Sequence, residues 1–411
     1  MQKLLFIGMV WPEPQSSAAG TRIIQLIKTF LGAGFHISFA SAASKSAYSF
    51  ELSELGVVEQ NISLNDSSFD DYIKTLQPEI VVFDRFMSEE QYGWRLRQQC
   101  PQAMSILDTE DLHFLRQARQ EALKKNKEPD YYSEIARREI ASILRCDLSL
   151  IISQEEKKLL ETKFHINPAI LYYLPFLEEP VEEAVVKAWK PFEDRQDFMF
   201  IGNFLHEPNW RTVQYLKSQI WPMLSKLLPK AALHIYGAYA SAKVYQLHKP
   251  QERFLILDRA EDARLTMENY RLLLAPIPFG AGIKGKFVDA MQSGTPNVSS
   301  HIGAEDMLQA DTWNGLLADD PAQFCASAVK LYTDKALWYT AQNNGISLLH
   351  RNYNKSNLEK PFLKALSKLS EEITAHRNNN FMGQILNSQV HNSLKYMSLW
   401  IEEKNKNKGP Q

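Results

Sequence analysis

Apolar residues in this chain fall into two recurring patterns. Short runs of strand length alternate with stretches of helical spacing, and the alternation starts twice. The first series has strands at Lys3–Met9, Phe35–Ala40, Val57–Leu64, Ile80–Phe83, Ala103–Leu107, Leu148–Ile152 and Ile170–Leu174. Helices are predicted between them at Thr21–Leu31, Phe69–Leu76, Glu89–Gln99, Leu112–Lys125 and Tyr131–Leu144. Ser153-Gln-Glu-Glu156 reads as a capping box opening another helix. The acidic, proline-containing segment Glu178–Gln196 shows no clear strand and reads as a linker. The pattern then restarts. Strands are expected at Asp197–Ile201, Ala232–Tyr236, Phe254–Leu257, Arg271–Ile277 and Asn297–Ser300. Helices are expected at Arg211–Leu224, Asp262–Asn269 and Lys286–Gln292, with helical segments through Pro321–Leu349.

Repeated β-α-β alternation implies parallel, doubly wound sheets. The expected architecture is α/β: two Rossmann-like domains facing across a crevice. Residues 1–177 form the first, 178–196 the linker and 197–380 the second. A final amphipathic helix, Phe381–Lys404, carries an apolar stripe of Phe381, Ile385, Leu394, Met397 and Ile401. It is expected to pack back on the first domain.

Composition narrows the function. The 411 residues are too many for one ordinary core. A net charge of −2 gives no electrostatic footprint for wrapping nucleic acid. Three scattered cysteines suggest a reducing compartment without a disulfide framework. The ten histidines include no H-E-x-x-H, so no metal site is expected. No apolar run approaches membrane-spanning length. A cytoplasmic protein follows, with peripheral membrane contact as an option because Lys395, Lys404, Lys406 and Lys408 accompany the last helix.

The most informative stretch is Arg271–Met291, RLLLAPIPFGAGIKGKFVDAM. A strand runs into a loop holding Gly280, Gly282 and Gly285, and a helix follows. The free N–H groups of that helix start, near Ile283, Lys284, Gly285 and Lys286, would form an anion site. Lys284 and Lys286 add charge. Asp289, one turn in, is placed to reach a sugar attached to the bound phosphates. The stretch reads as a clamp for a nucleoside diphosphate. A second small-residue turn, PQSSAAG, ends at Gly20 before another helix, with Arg22 at its start.

Two αβ halves with the clamp in the second resemble the GT-B fold glycosyltransferases, and most closely the group 1, or family four, retaining enzymes. FIGNFLHEPNW at Phe200–Trp210, IWPMLSKLLPKAALHIYG at Ile220–Gly237, PQSSAAGTR at Pro14–Arg22 and the G-A-G-I-K-G-K loop carry the resemblance. It implies sugar transfer from a nucleoside-diphosphate sugar to an acceptor hydroxyl, with retention and without a cofactor. The acceptor would be a glycan, a lipid-linked saccharide or a protein. The family signature commonly places two glutamates eight residues apart; here those positions are Ala281 and Asp289. Gly20, Gly202, Asn203, Arg259, Gly282, Ile283, Lys284, Gly285 and Asp289 are the donor-side candidates. Lys286 and His113 are the catalytic candidates, with Arg22 and Asp111 on the acceptor side. His206 and His301 are further residues that could meet the donor. A nucleotide-sugar epimerase and a non-catalytic nucleotide-sugar-binding protein are the alternatives.

Overall fold

The computed structural model describes residues 2–308 and 312–388, together with 396–397 and 400. Among these, seven parallel strands form the first sheet: β1 (Lys3–Gly8), β2 (His36–Ser41), β3 (Val58–Asn61), β4 (Ile80–Asp84), β5 (Met104–Asp108), β6 (Leu148–Ile151) and β7 (Leu171–Tyr173). Their order is β3-β2-β1-β4-β5-β6-β7. Six form the second: β8 (Gln196–Ile201), β9 (Leu233–Tyr236), β10 (Phe254–Ile256), β11 (Tyr270–Ala275), β12 (Asn297–Ser299) and β13 (Gly315–Leu317). Their order is β10-β9-β8-β11-β12-β13. The strand order reverses beside β1 and β4 in one sheet and beside β8 and β11 in the other. Ligands of doubly wound sheets bind outside the carboxyl ends at such points.

Both faces of the first sheet are buried. Leu5, Ile7, Val81 and Phe83 pack on one side. Leu4, Phe6 and Val82 pack on the other. This two-residue period explains the near-continuous apolar runs of the sequence. The second half has its own core, built around Trp221, Trp338 and the inner strands.

The linker is more structured than its sequence suggests. It contains a short helix, Glu183–Ala188. Trp189 is buried against Gly294, where a Cβ would lie 2.3 Å from the indole. Gly294 also has φ +59, a conformation that suits glycine.

The chain returns to the first half earlier than expected. Asn354 caps the helix Lys355–Glu371, which was not foreseen. Phe362 and Leu366 of that helix lie in the first half's core, with Phe362 packed on Phe30 and Tyr172. Residues 355–380 therefore pack with the first half, not the second. The reason is a stripe of Leu358, Phe362, Leu366 and Leu369, which finds its apolar partners there. His376 and Arg377 extend the contact through Asp147.

The next helix, Phe381–Ser388, also sits on the first half, but not through its apolar stripe. Gly383 lies against the Leu144 carbonyl, and Asn380 and Asn387 donate to the carbonyls of Leu144 and Arg145. Phe381 is 65% exposed, Ile385 48% and Met397 60%. The small and polar face makes the contact, because only glycine permits so close an approach to backbone. Leu394 and Ile401 lie outside the described residues. Among the described residues no helix is long and apolar enough to cross a membrane.

Candidate functional site

The two halves meet at the carboxyl ends of their strands. After β11 the chain turns through Gly280–Gly282, with Gly282 at φ +61. Lys284 is the N-cap of the helix Gly285–Gln292. A Cβ on Gly285 would lie 2.6 Å from the Cβ of Ala18. Ala18 is the first residue of the helix Ala18–Gly32, so two helix N-termini converge here. Each brings the positive end of a dipole, a combination that favours an anion.

Both lysines of the loop are half-buried. Lys284 Nζ folds back to donate to the Gly282 carbonyl at 2.8 Å. Lys286 Nζ donates to Asn209 Oδ1 at 2.7 Å and lies 4.2 Å from the Phe200 ring centre. Burial, reinforced by the charge of Lys284, pushes Lys286 down to about 7. Burial brings Lys284 down to about 8, with Arg119 lowering it further against the pull of Glu305 and Glu156. An incoming diphosphate would favour the charged ammonium form of both lysines.

The other side of the crevice is set by the β5–helix connection. His113 begins the helix His113–Lys125, whose N-cap is Leu112. Its backbone N–H donates to Glu139 Oε1 at 3.1 Å, and that of Phe114 to Glu139 Oε2 at 2.9 Å. The imidazole Nδ1 lies 3.2 Å from the Asp111 carbonyl and 3.5 Å from Glu139 Oε1. Burial would raise the Asp111 carboxyl, but Arg116, His113 and His206 together hold it well below the usual range. His206 reaches this group from the other half. Crowding by the crevice walls and the charges of Arg116 and Lys286 lower it. The residue stays solvent-exposed, which tempers the displacement without changing its direction.

Several expected ligand contacts have other partners. Arg22 is buried, with Nε 2.9 Å from Asp108 Oδ1 and Nη1 donating to the Leu174 and Pro175 carbonyls. It braces the first half from within and does not face an acceptor. The amide of Gly282, a donor-side candidate, donates to Glu156 Oε1 at 2.8 Å. The Gly20 amide donates to Ser17 Oγ at 3.0 Å, and the Glu13 backbone fills the place of its Cβ. Asn203 closes its own turn by accepting from Leu205 N–H at 2.8 Å. Gly202 lies against the Asn209 side chain. Ile283 is buried in the second half's core, leaving its backbone as the polar group near the site. Asp289 accepts from Arg264 Nε at 2.8 Å, and Arg264 also pairs with Glu178 of the linker. Arg259 lies over the Tyr48 ring at 4.6 Å. His301 pairs with Asp319 and closes a turn on the surface.

The sequence reading missed the partners that hold the site together. Asn209 anchors Lys286. Glu139 and Glu156 supply acceptors to the helix start at His113. Arg119 makes a paired contact with Glu305 at 2.6 and 2.7 Å. Tyr239 donates to Glu13 Oε1 at 2.7 Å, closing the mouth beside Tyr48 and Arg259. Only Glu156 had a visible signal, as the last residue of the capping box.

Residues 195–334, which contain the clamp, match the family described as Glycosyl transferases group 1. No curated protein matches the sequence. Among solved structures, sucrose-phosphate synthase from Thermosynechococcus elongatus is similar at a TM-score of 0.67 and 15% identity, over 90% of this chain and 99% of that one. A TarM variant from S. aureus, in complex with Fondaparinux, alpha-GlcNAc-glycerol and UDP, gives 0.68 at 10% identity, over 89% and 99%. Anabaena HepE in complex with UDP and glucose gives 0.62 at 13% identity, over 89% and 100%. At these identities the likeness defines the fold: two Rossmann-like halves of the GT-B type.

Proposed function

We propose that this chain is a glycosyltransferase that moves a sugar from a nucleoside-diphosphate sugar to an acceptor hydroxyl. The observation that carries the reading is the pair Lys284 and Lys286 at the start of the helix Gly285–Gln292, facing the start of the helix Ala18–Gly32. The clamp lies within the segment matched to Glycosyl transferases group 1. The bound UDP named for the TarM variant and HepE adds support by analogy.

The leaving group of such a reaction is a diphosphate, on which negative charge grows as the glycosidic bond breaks. Lys286, Lys284 and the helix N–H groups stabilise that charge from fixed positions. Losing one such donor costs about 3–4 kcal/mol of barrier. His113 orients the acceptor hydroxyl or the transferred sugar from the opposite wall. Retention of the anomeric configuration fits a front-face displacement in which the leaving phosphate helps remove the acceptor proton, with no carboxylate pair required. The acceptor class we favour is a glycan or lipid-linked saccharide, with a protein acceptor as the other option. Exposed Phe381, Met382 and Ile385 give a face for peripheral membrane contact at the cytoplasmic side.

Calorimetry with UDP, GDP and ADP tests the clamp. If none binds the wild type more tightly than Lys286→Ala, the reading fails. A donor-and-acceptor screen, with NMR of the product anomer, then tests transfer and retention. Ala281 favours a second reading, an epimerase or a non-catalytic binding protein, because the glutamate common at that position is absent. Conversion of the donor without acceptor would identify the epimerase. Tight nucleotide binding without any turnover would identify the binding protein.

A further inference from the structure

The glycine loop of the second half is held by the first half at three consecutive residues. Arg119 Nη1 donates to the Gly280 carbonyl at 2.7 Å. Ala281 is buried in the first half's core, in a cluster with Leu112 and Phe114. The Gly282 N–H donates to Glu156 Oε1, which also accepts from the Leu112 N–H at 3.0 Å. A Cβ on Gly282 would lie 2.9 Å from Asp111 Cβ, so the fit excludes any side chain there. The 280–282 segment is thus a tongue of one half seated in the other.

Glu156 is the unusual member of this seat. Ser153 caps its helix as the capping box requires, accepting from the Glu156 N–H at 3.3 Å. The reciprocal bond is not made. The Glu156 side chain turns away to the two amides, one from each half. The residue is 1% exposed, and its Oε2 has no hydrogen-bond partner among the described residues. A half-satisfied buried carboxyl is costly, and it is tolerated where it specifies one arrangement.

We propose that Glu156 is the positioning residue of the glycine loop, fixing the Gly282 peptide when the crevice closes and releasing it when the crevice opens. That the loop so positioned is a donor clamp rests on the transferase reading; the closure itself does not.

Closure then depends on pH. In the seated state, burial and the neighbouring Asp111 charge push the Glu156 carboxyl up to about 8, against the Leu112 amide and Lys284. The charged groups around it are Asp111 from the β5 connection, Glu139 from the helix Glu134–Arg145 and Lys284 from the loop itself. Glu155 lies on its own helix, and Asp306 of the second half accepts from the Gln154 N–H at that helix start. With the crevice open, the carboxyl is hydrated and returns to the ordinary carboxylate range. The raised value belongs to the closed state, so the proton favours closure. Closure is fully supported below the ordinary range and is lost as pH rises through about 8.

The test is small-angle scattering of the full chain without nucleotide, from acid to alkaline pH. The wild-type radius of gyration is expected to rise as pH climbs from the ordinary carboxylate range toward about 8. Glu156→Gln keeps an acceptor for both amides and carries no charge, so its radius should stay at the low-pH value throughout. Ala281→Asp puts a carboxylate in the apolar seat and should already be expanded at neutral pH, where the wild type is still closing. It provides the second arm if Glu156→Gln folds poorly. A wild-type radius that does not change, a Glu156→Gln curve that follows the wild type, or an Ala281→Asp variant compact at neutral pH would overturn the proposal. No nucleotide is present, so this result and the calorimetric test of the clamp succeed or fail separately.

Discussion

Lys286 Nζ sits 2.7 Å from Asn209 Oδ1, and Asn209 in turn lies against Gly202. The glycine turn after β8 and the clamp after β11 are therefore joined through one side chain. Asn209 Nδ2 is held by the Asn203 carbonyl at 2.9 Å, which fixes the direction of its oxygen. The ammonium is thus aimed before any ligand arrives, which reduces the ordering cost of binding.

This arrangement predicts a proton-linked affinity for nucleoside diphosphate. Free Lys286 is lowered to about 7, and a bound diphosphate would raise it. Binding near and above neutral pH should therefore take up a proton, and affinity should fall as pH rises beyond 7. Calorimetry in buffers of different ionisation enthalpy reads the uptake directly. Lys286→Ala should abolish this component and weaken binding by about 10–100-fold, as expected for a charge-assisted hydrogen bond. Uptake that is the same in the variant would reject the assignment.

His113→Ala separates a working histidine from a helix-cap residue. The helix start is satisfied through backbone N–H groups on Glu139, and the imidazole makes none of those bonds. Removing the ring should leave the fold and the nucleoside-diphosphate affinity nearly unchanged. Turnover with a working acceptor should fall by about 10²–10⁴-fold. Near-wild-type turnover would remove His113 from the mechanism. A large drop in melting temperature would make it structural.

Arg22→Ala should behave in the opposite way. Arg22 and Asp108 form a buried pair, 1% and 0% exposed, with salt-bridge atoms 2.9 Å apart. Removing one partner leaves a buried charge uncompensated, at a cost of about 3–5 kcal/mol. Denaturant unfolding should show that loss. An effect confined to acceptor KM, with stability unchanged, would restore the ligand-facing role expected from sequence.

The sheets were readable because the buried strands are continuous apolar runs, and their alternation leaves little choice of topology. The glycine loop and the helix start after β11 were readable because glycines and lysines at a helix start have a local cause. Contacts between distant segments had no such local signal. Nothing in the GAG tripeptide indicates that Ala281 enters the core of the other half, or that Glu156 claims the Gly282 amide. Arg22 shows the same limit: an arginine one turn into a helix looks alike whether it faces a ligand or a buried aspartate such as Asp108. The early return of the chain had a signal that was passed over, the stripe of Leu358, Phe362, Leu366 and Leu369.

That stripe gives the last prediction, which concerns two truncations. Ending the chain after Asn354 would remove Phe362 and Leu366 from a closed core and uncover Phe30 and Tyr172. Losing one large buried aromatic alone costs about 3–5 kcal/mol, a large share of an ordinary domain's stability. This truncation should be insoluble or unfolded at room temperature. Ending it after Asn380 keeps those contacts and the Arg377–Asp147 pair, whose Nε–Oδ1 distance is 2.7 Å. It removes the helix Phe381–Ser388, which touches the first half through Gly383 and Asn387 and leaves Phe381 and Ile385 exposed. The second truncation should therefore melt within a few degrees of the full chain. If those exposed residues serve membrane contact, it should also lose flotation with anionic liposomes that the full chain retains. A soluble, cooperatively melting protein ending at Asn354 would show that the helix Lys355–Glu371 is not part of the first half's core. Equal flotation of the full chain and the Asn380 truncation would remove the final helix from any membrane role.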